Sequence, residues 1–218
     1  MIKVIDKENS VLNSFLAEIR DAHIQQDSMR FRRNLERVAE IMAYEVSKTF
    51  DYEKNTVNTP IAPAEVMIPK QKIVVATVLR AGLPFHQGFI NYFDHAESAF
   101  ISARRVEGSE EGKVGIRFDS IYTPDLEGKL LLLVDSMLAT GSSLVKAYRE
   151  LLEQGGRPIH THIISVIASK IGAQYLEEQL AGDNLSLWTA SLDEGLTDKY
   201  YITPGIGDAG DLAFGSKK

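Results

Sequence analysis

The sequence predicts an α/β protein: a mostly parallel, twisted sheet flanked by helices. Two observations carry that prediction. First, the runs Leu130–Val134, Ile73–Leu79, His162–Ala168 and Leu185–Ala190 are almost continuously apolar, as suits strands buried on both faces. Second, such runs give way to short polar or glycine-bearing loops and then to segments of helical periodicity. Strands alternating with helices imply parallel pairing through right-handed crossovers.

Composition sets the outer bounds. A chain of 218 residues, 44% hydrophobic and 25% charged, fits one soluble domain with a sizeable core. The formal charge of −6 argues against nonspecific binding to nucleic acid or a membrane surface, so any basic pocket must be local. There are no cysteines, which excludes disulfides, thiolate chemistry and cysteine–zinc sites. Met1–Glu8 lacks the apolar core of a signal peptide, and no apolar run is long enough to span a bilayer. The expected location is cytoplasmic.

Residues 1–55 read as helical. Phe31, Leu35, Val38, Met42 and Val46 recur at three- and four-residue spacing. Arg30, Arg32, Arg33 and Arg37 on this segment are expected to form a solvated face rather than a phosphate contact. Thr56–Lys70, with Pro60, Pro63 and Pro69, reads as an extended connection or edge segment. After Ile73–Leu79 come Arg80-Ala81-Gly82-Leu83-Pro84, where Pro84 suits the first turn of a helix reaching about Phe93. Arg80 then stands at a strand's C-terminal end, where open parallel sheets bind ligands. Ala99–Ser102 is a further strand. Residues 104–125 read as a protruding hairpin or lid, with a polar turn at Glu107–Lys113 and the alternating Val114, Ile116 and Phe118 beyond it. Lids of this kind keep water from a reacting centre. Later in the chain, Gly155-Gly156 closes a helix and another covers about Ile171–Leu180. His160 and His162 share a strand face but have no third ligand near them, so exposed strand-end histidines are expected rather than a metal site. Residues 1–218 are expected to form a single domain, with 200–218 as its tail.

The stretch Leu130–Leu144 carries the chemistry. A buried strand ends at Asp135, passes into Ser136-Met137-Leu138-Ala139-Thr140-Gly141, and reaches Ser142 or Ser143 as the N-cap of a helix over Leu144–Leu152. Helix N-termini present unpaired N–H groups at the positive end of the dipole, which suits phosphate. Gly141 lets the backbone close on an anion, and the hydroxyls add donors. Asp135 is set apart for hydroxyls or a metal. The Walker pattern fails, because it needs a lysine after its last glycine and Ser142 stands there. An ordinary loop without a ligand stays open on the local pattern alone.

The tail holds Gly205-x-Gly207-x-x-Gly210, which matches the dinucleotide fingerprint in letters. That fingerprint must open a helix inside a βαβ unit with an acid well downstream, and Asp211–Lys218 leave room for neither. The expectation is instead a rigid glycine loop able to approach a flat ligand.

Three motifs, in order and spacing, resemble those of the uracil phosphoribosyltransferases, a type I phosphoribosyltransferase family: Val78–Leu83, Val134–Ser143 and Tyr201–Asp211. The resemblance implies conversion of uracil and 5-phosphoribosyl 1-diphosphate (PRPP) to UMP and diphosphate. It implies a PRPP site of Arg80, Arg105, Asp135, Ser136, Met137, Leu138, Ala139, Thr140, Gly141, Ser142, Ser143 and Asp208. Within it, Asp135 would hold the ribose hydroxyls, Ala139–Ser143 the 5′-phosphate, and Arg80 and Arg105 the diphosphate. The uracil site would be Ile202, Gly207, Asp208 and Ala209. Asp135, Arg105 and Asp208 would be the catalytic residues. Mg²⁺ would be held mainly through PRPP, with no protein metal site. The family also suggests a homodimer or higher homo-oligomer, with GTP as a candidate allosteric activator. Two positions depart from its pattern: Ser136 replaces the usual proline, and Arg104-Arg105-Val106-Glu107 replaces the usual Tyr-Arg-Asn-Glu of the lid. The competing readings are a phosphoribosyltransferase for another base and a uracil-nucleotide-sensing regulator that binds RNA; the acidic composition speaks against the latter.

Overall fold

The computed structural model describes residues 2–106 and 115–216; of residues 104–106 and 115–118 it describes the backbone alone. Seven strands form one sheet: β1 (Lys3–Val4), β4 (Ile73–Leu79), β5 (Glu97–Val106), β6 (Gly115–Tyr122), β7 (Leu130–Leu138), β8 (His160–Ser169) and β9 (Leu185–Asp193). Their spatial order is β1-β9-β8-β7-β4-β5-β6. Every pairing is parallel except that of β5 with β6. This is the predicted architecture.

Helices cover both faces. Leu130, Leu132 and Val134 of β7 join a core with α1 (Leu12–Arg20), α2 (Ser28–Ser47) and α3 (Leu83–Ile90). Leu131 and Leu133 point the other way, into a second core with α4 (Ser142–Gly155) and α5 (Lys170–Gln179). The leucine run is continuous because each face of the strand needs apolar side chains. Helix α2 starts where Asp27 accepts from the amides of Met29 and Arg30, both at 3.1 Å, satisfying donors that a helix start leaves unpaired.

From β4 the chain moves outward to β5 and β6, and from β7 the opposite way to β8 and β9. Strand order therefore reverses between β4 and β7, which is where open α/β sheets place their ligand crevice.

Several expectations are corrected. The first 50 residues are not wholly helical: Lys3–Val4 pairs with Trp188 and Thr189 at the sheet edge, a strand too short to carry a period. Thr56–Lys70 is no simple connection. It belongs to a two-stranded hairpin, β2 (Tyr52–Asn58) and β3 (Pro63–Pro69), with Pro63 and Pro69 at strand ends, where a missing N–H costs least. Helix α3 stops at Ile90 rather than Phe93. Of the α2 arginines, Arg30 and Arg33 lie on the exposed face as expected, pairing there with Glu18 at 3.3 Å and Glu36 at 2.8 Å, but Arg32 is half-buried and donates to the Ala213 carbonyl at 2.6 Å. His162 is not exposed. It is 3% exposed and accepts from Trp188 Nε1 at 3.1 Å, and burial, the largest cause, pushes its pKa down to about 3. The strand pair expected at the lid is present as β5 and β6. Its turn at Glu107–Lys113, Val114, and the side chains of Arg104, Arg105, Ile116 and Phe118 lie outside the described residues.

Candidate active site

Strand β7 carries Asp135 to the crevice. The Ser136 amide donates to Asp135 Oδ1 at 2.7 Å. Asp135 as a residue is half-buried, and its carboxyl is packed round by protein. Loss of hydration, the largest cause, raises its pKa from 3.8 to about 7, against the hydrogen bonds from Ser136 and Met137. In this state the group exchanges its proton near neutrality, so a cation or a set of hydroxyl donors brought beside it would draw it to the ionised form.

Beyond Asp135 the loop turns at Gly141, whose φ is +80°. Gly141 itself is the N-cap of α4, with Ser142 already inside the helix, which corrects the expected serine cap. The left-handed turn gives glycine the capping place and leaves Ser142 and Ser143 at the helix start. Thr140 Oγ1 and Ser142 Oγ lie 3.0 Å apart. A helix N-terminus is thereby set at the end of β7 with hydroxyls around it, suited to an anion.

A neighbouring unit braces this loop from below. Ser169 Oγ donates to the Ala139 carbonyl at 2.5 Å and accepts from the Gly172 amide at 2.9 Å. A Cβ at Gly172 would strike the Ala139 carbonyl, and one at Gly141 would lie 2.8 Å from the Gly172 carbonyl. Sequence reading missed Ser169 and Gly172. The signal was present, since a serine before a helix whose third residue is glycine is the same strand–cap–helix pattern in the next unit.

Strand β4 lies beside β7 and delivers Arg80 to the same end of the sheet, following a cis Leu79–Arg80 peptide bond. Arg80 reaches the tail: Nη2 lies 3.3 Å from Asp211 Oδ1, and Nη1 donates to the Gly215 carbonyl at 3.2 Å. Up to residue 216 the tail has regular structure. Strands β10 (Gly195–Leu196) and β11 (Ile202–Thr203) pair, a cis Thr203–Pro204 bond follows, and a short helix α6 spans Ala209–Phe214. That helix corrects the expectation that nothing helical fits after Gly210. Asp208 caps it by accepting from the Asp211 amide at 3.0 Å.

The sequence-predicted residues are thus gathered in part. Arg80 meets the tail directly, and the phosphate loop stands at the adjoining strand end. Ile202 and Ala209 are buried, while Gly207 is exposed and Asp208 half-buried. Arg105 lies on β5, next to β4, opposite Ile116. Among the described residues no three His, Asp or Glu side chains gather as a metal cage.

Comparison with known proteins decides the family. A family model described as uracil phosphoribosyltransferase matches residues 6–216. The chain belongs to the uracil phosphoribosyltransferase family. Two relatives named uracil phosphoribosyltransferase illustrate its reach. One from Porphyromonas gingivalis is 49% identical over 210 residues, covering 96% of each chain. One from Pyrococcus furiosus is 35% identical, covering 96% of this chain and 88% of that one. A solved structure from Aquifex aeolicus superposes with a TM-score of 0.86 at 28% identity, over 100% of this chain and 99% of the other. This family of enzymes supplies the chemistry against which the crevice is read below.

Proposed function

We propose that this chain transfers the phosphoribosyl group of PRPP to N1 of uracil, releasing UMP and diphosphate in pyrimidine salvage. The observation that supports the reading is that β7, bearing Asp135 and the phosphate loop, runs parallel beside β4, whose Arg80 bonds to the glycine-bearing tail, at the sheet's switch point, in a chain matched to the family almost end to end.

The reaction breaks the bond from the anomeric carbon to diphosphate and forms one to nitrogen, through an oxocarbenium-like state. Ala139–Ser143 would seat the 5′-phosphate on the start of α4, and Asp135 would orient the ribose hydroxyls. Arg80 and Arg105 would face the negative charge that develops on the leaving group, where preorganised cations act most strongly. Asp208, beside Arg80, would stand near the sugar. Mg²⁺, when bound, neutralises diphosphate charge. With Asp135 the one acid of the phosphate stretch and no cage around it, substrate oxygens and waters would hold most of the ion. Uracil presents acceptor, donor, acceptor along one edge, so a backbone loop at 202–209 can read it. Cytosine reverses part of that pattern and would leave buried groups unpaired, at about 1–3 kcal/mol each.

A homo-oligomer belongs to the same proposal, supported by the β2–β3 hairpin. Its strand residues are exposed apart from the half-buried Ala64, and Ile61 and Met67 are 97% and 60% exposed. Hairpins standing alone are marginal, and exposed apolar surface favours association. Among the described residues no helix is long and apolar enough to cross a membrane. Activation by GTP rests on the family likeness alone; turnover with and without it is the check.

The deciding measurement is diphosphate release from PRPP with uracil, orotate, xanthine and adenine in turn. Release with uracil alone is expected. Release only with another base would overturn the reading.

A further inference from the structure

Two residues with no place in the three motifs hold the tail. Asp193, at the end of β9, is 6% exposed, and Arg20, at the end of α1, 24%. Arg20 Nη1 donates to Asp193 Oδ2 at 2.9 Å and Nη2 to Oδ1 at 2.8 Å, a forked pair that fixes direction as well as distance. The Gly205 amide donates to Asp193 Oδ2 at 2.8 Å, and the Gly205 carbonyl accepts from Arg20 Nη1 at 3.1 Å. Both backbone polar groups of one glycine are thus fastened to one ion pair. Ser191 Oγ, accepting from Arg20 Nη2 at 2.9 Å, completes the fork. Only glycine fits there: φ is +63°, and a Cβ would strike the Ile202 carbonyl. With its amide nitrogen turned inward, Gln25 donates to the Ile19 carbonyl at 3.1 Å and the Ile206 carbonyl at 3.0 Å.

We infer that Arg20 and Asp193 are positioning residues for the base: their ion pair fixes the loop at Gly205 so that its groups from Gly207 onward face the pyrimidine edge. This rests on reading 202–209 as the base's seat. A partly buried ion pair adds little net stability, because desolvation offsets attraction. What the pair supplies is geometry, and a displaced loop weakens the hydrogen bonds it makes. Through it the N-terminal helix, remote from PRPP in the sequence motifs, sets affinity for the base alone.

The test is steady-state kinetics of Arg20→Gln, with uracil and PRPP varied separately. The uracil KM is expected to rise about tenfold, with the PRPP KM and the kcat at saturating uracil within about twofold of wild type. Arg20→Lys, which keeps charge but loses the fork, should fall between the two. An unchanged uracil KM, or an equal rise in both KM values, overturns the inference. Should Arg20→Gln fail to fold, Ser191→Ala removes one bond of the fork and should raise the uracil KM about twofold; no rise overturns it equally. Gly207→Ala tests the seat itself. A raised uracil KM there with Arg20→Gln unchanged sinks only the ion-pair role. If Gly207→Ala leaves the uracil KM unchanged, the loop is not the base's seat and both readings fall.

Discussion

Around Thr140–Ser143 the bonds that shape the backbone come from the loop itself and from the strand end beside it, Ser169 being 30 positions from Ala139. Around Gly205 they come from Asp193, 12 positions away, and from Arg20, 185 positions away. The two loops belong to the same sheet-end region, yet one is built by its own strand–loop–helix unit and the next, while the other also needs a side chain from the opposite end of the chain. A phosphate is recognised by a local feature, the start of a helix, that any such unit can supply. A planar base edge needs donors and acceptors at set spacing, and an irregular loop holds that spacing only when something fastens it. The phosphate site is therefore a property of a short segment, and the base site a property of the fold.

Substitutions can break this contrast. The largest effect is expected for Asp135→Asn, with kcat falling about a hundredfold and the uracil KM changing far less; unchanged turnover removes Asp135 from the reaction. The same carboxyl predicts a pH dependence. Its folded pKa of about 7 lies above 3.8, so the folded state holds an extra proton between those values. Its contribution to stability then falls as pH rises from about 4 to 7, while affinity for Mg²⁺–PRPP grows over the upper part of that range. Calorimetric titration of PRPP at pH 6 and pH 8 checks the latter.

Next comes Gly172→Ala. In a helix this change ordinarily stabilises, but here the methyl would strike the Ala139 carbonyl. The PRPP KM should rise about tenfold, with a cost of about 1–3 kcal/mol in urea unfolding. A stabilised protein with normal PRPP binding would show that the phosphate loop does not lean on α5.

Arg32→Ala loses the bond to the Ala213 carbonyl at the end of α6. It should raise the uracil KM about twofold and leave PRPP binding alone, because one hydrogen bond contributes about 1 kcal/mol. An effect on PRPP as large as that on uracil would mean that the tail is not held separately from the phosphate loop.

The smallest effect on activity is expected at the other end of the sheet. His162 stays neutral in the fold down to about pH 3, while its ordinary value is 6.5. The unfolded chain takes up that proton first, so stability is lost as pH falls from 6.5 towards 3. His162→Gln should flatten that loss in urea midpoints at pH 7 and pH 5 without moving either KM. A shift in either KM would join that region to the crevice.

Legibility in the sequence follows the same division. Strand β4 falls at the predicted residues, since an apolar run bounded by Lys72 and Arg80 has sharp ends. The β7–α4 unit was readable in its parts, except that Gly141 rather than a serine caps the helix. Asp193 ends an apolar strand, and Asp135 lies three residues inside the end of another, but nothing adjacent to Asp193 marks a partner. Arg20 closes an amphipathic helix, where a basic residue is ordinary. The hairpin at residues 52–69 shows in the sequence only as an extended connection or edge segment over Thr56–Lys70, because neither of its faces is buried in the chain and it lacks the period-two signal that burial imposes.

By itself the sequence determined the alternating architecture, the doubly buried leucine strand and the phosphate loop, since periodicity, turn chemistry and helix starts are settled among residues close along the chain. Tertiary structure alone decided that Arg20 and Asp193 grip Gly205, that Arg80 turns to Asp211 and Gly215, and that His162 is buried under Trp188. Each of these depends on which strand lies beside which, and that order is set by the packing of both cores.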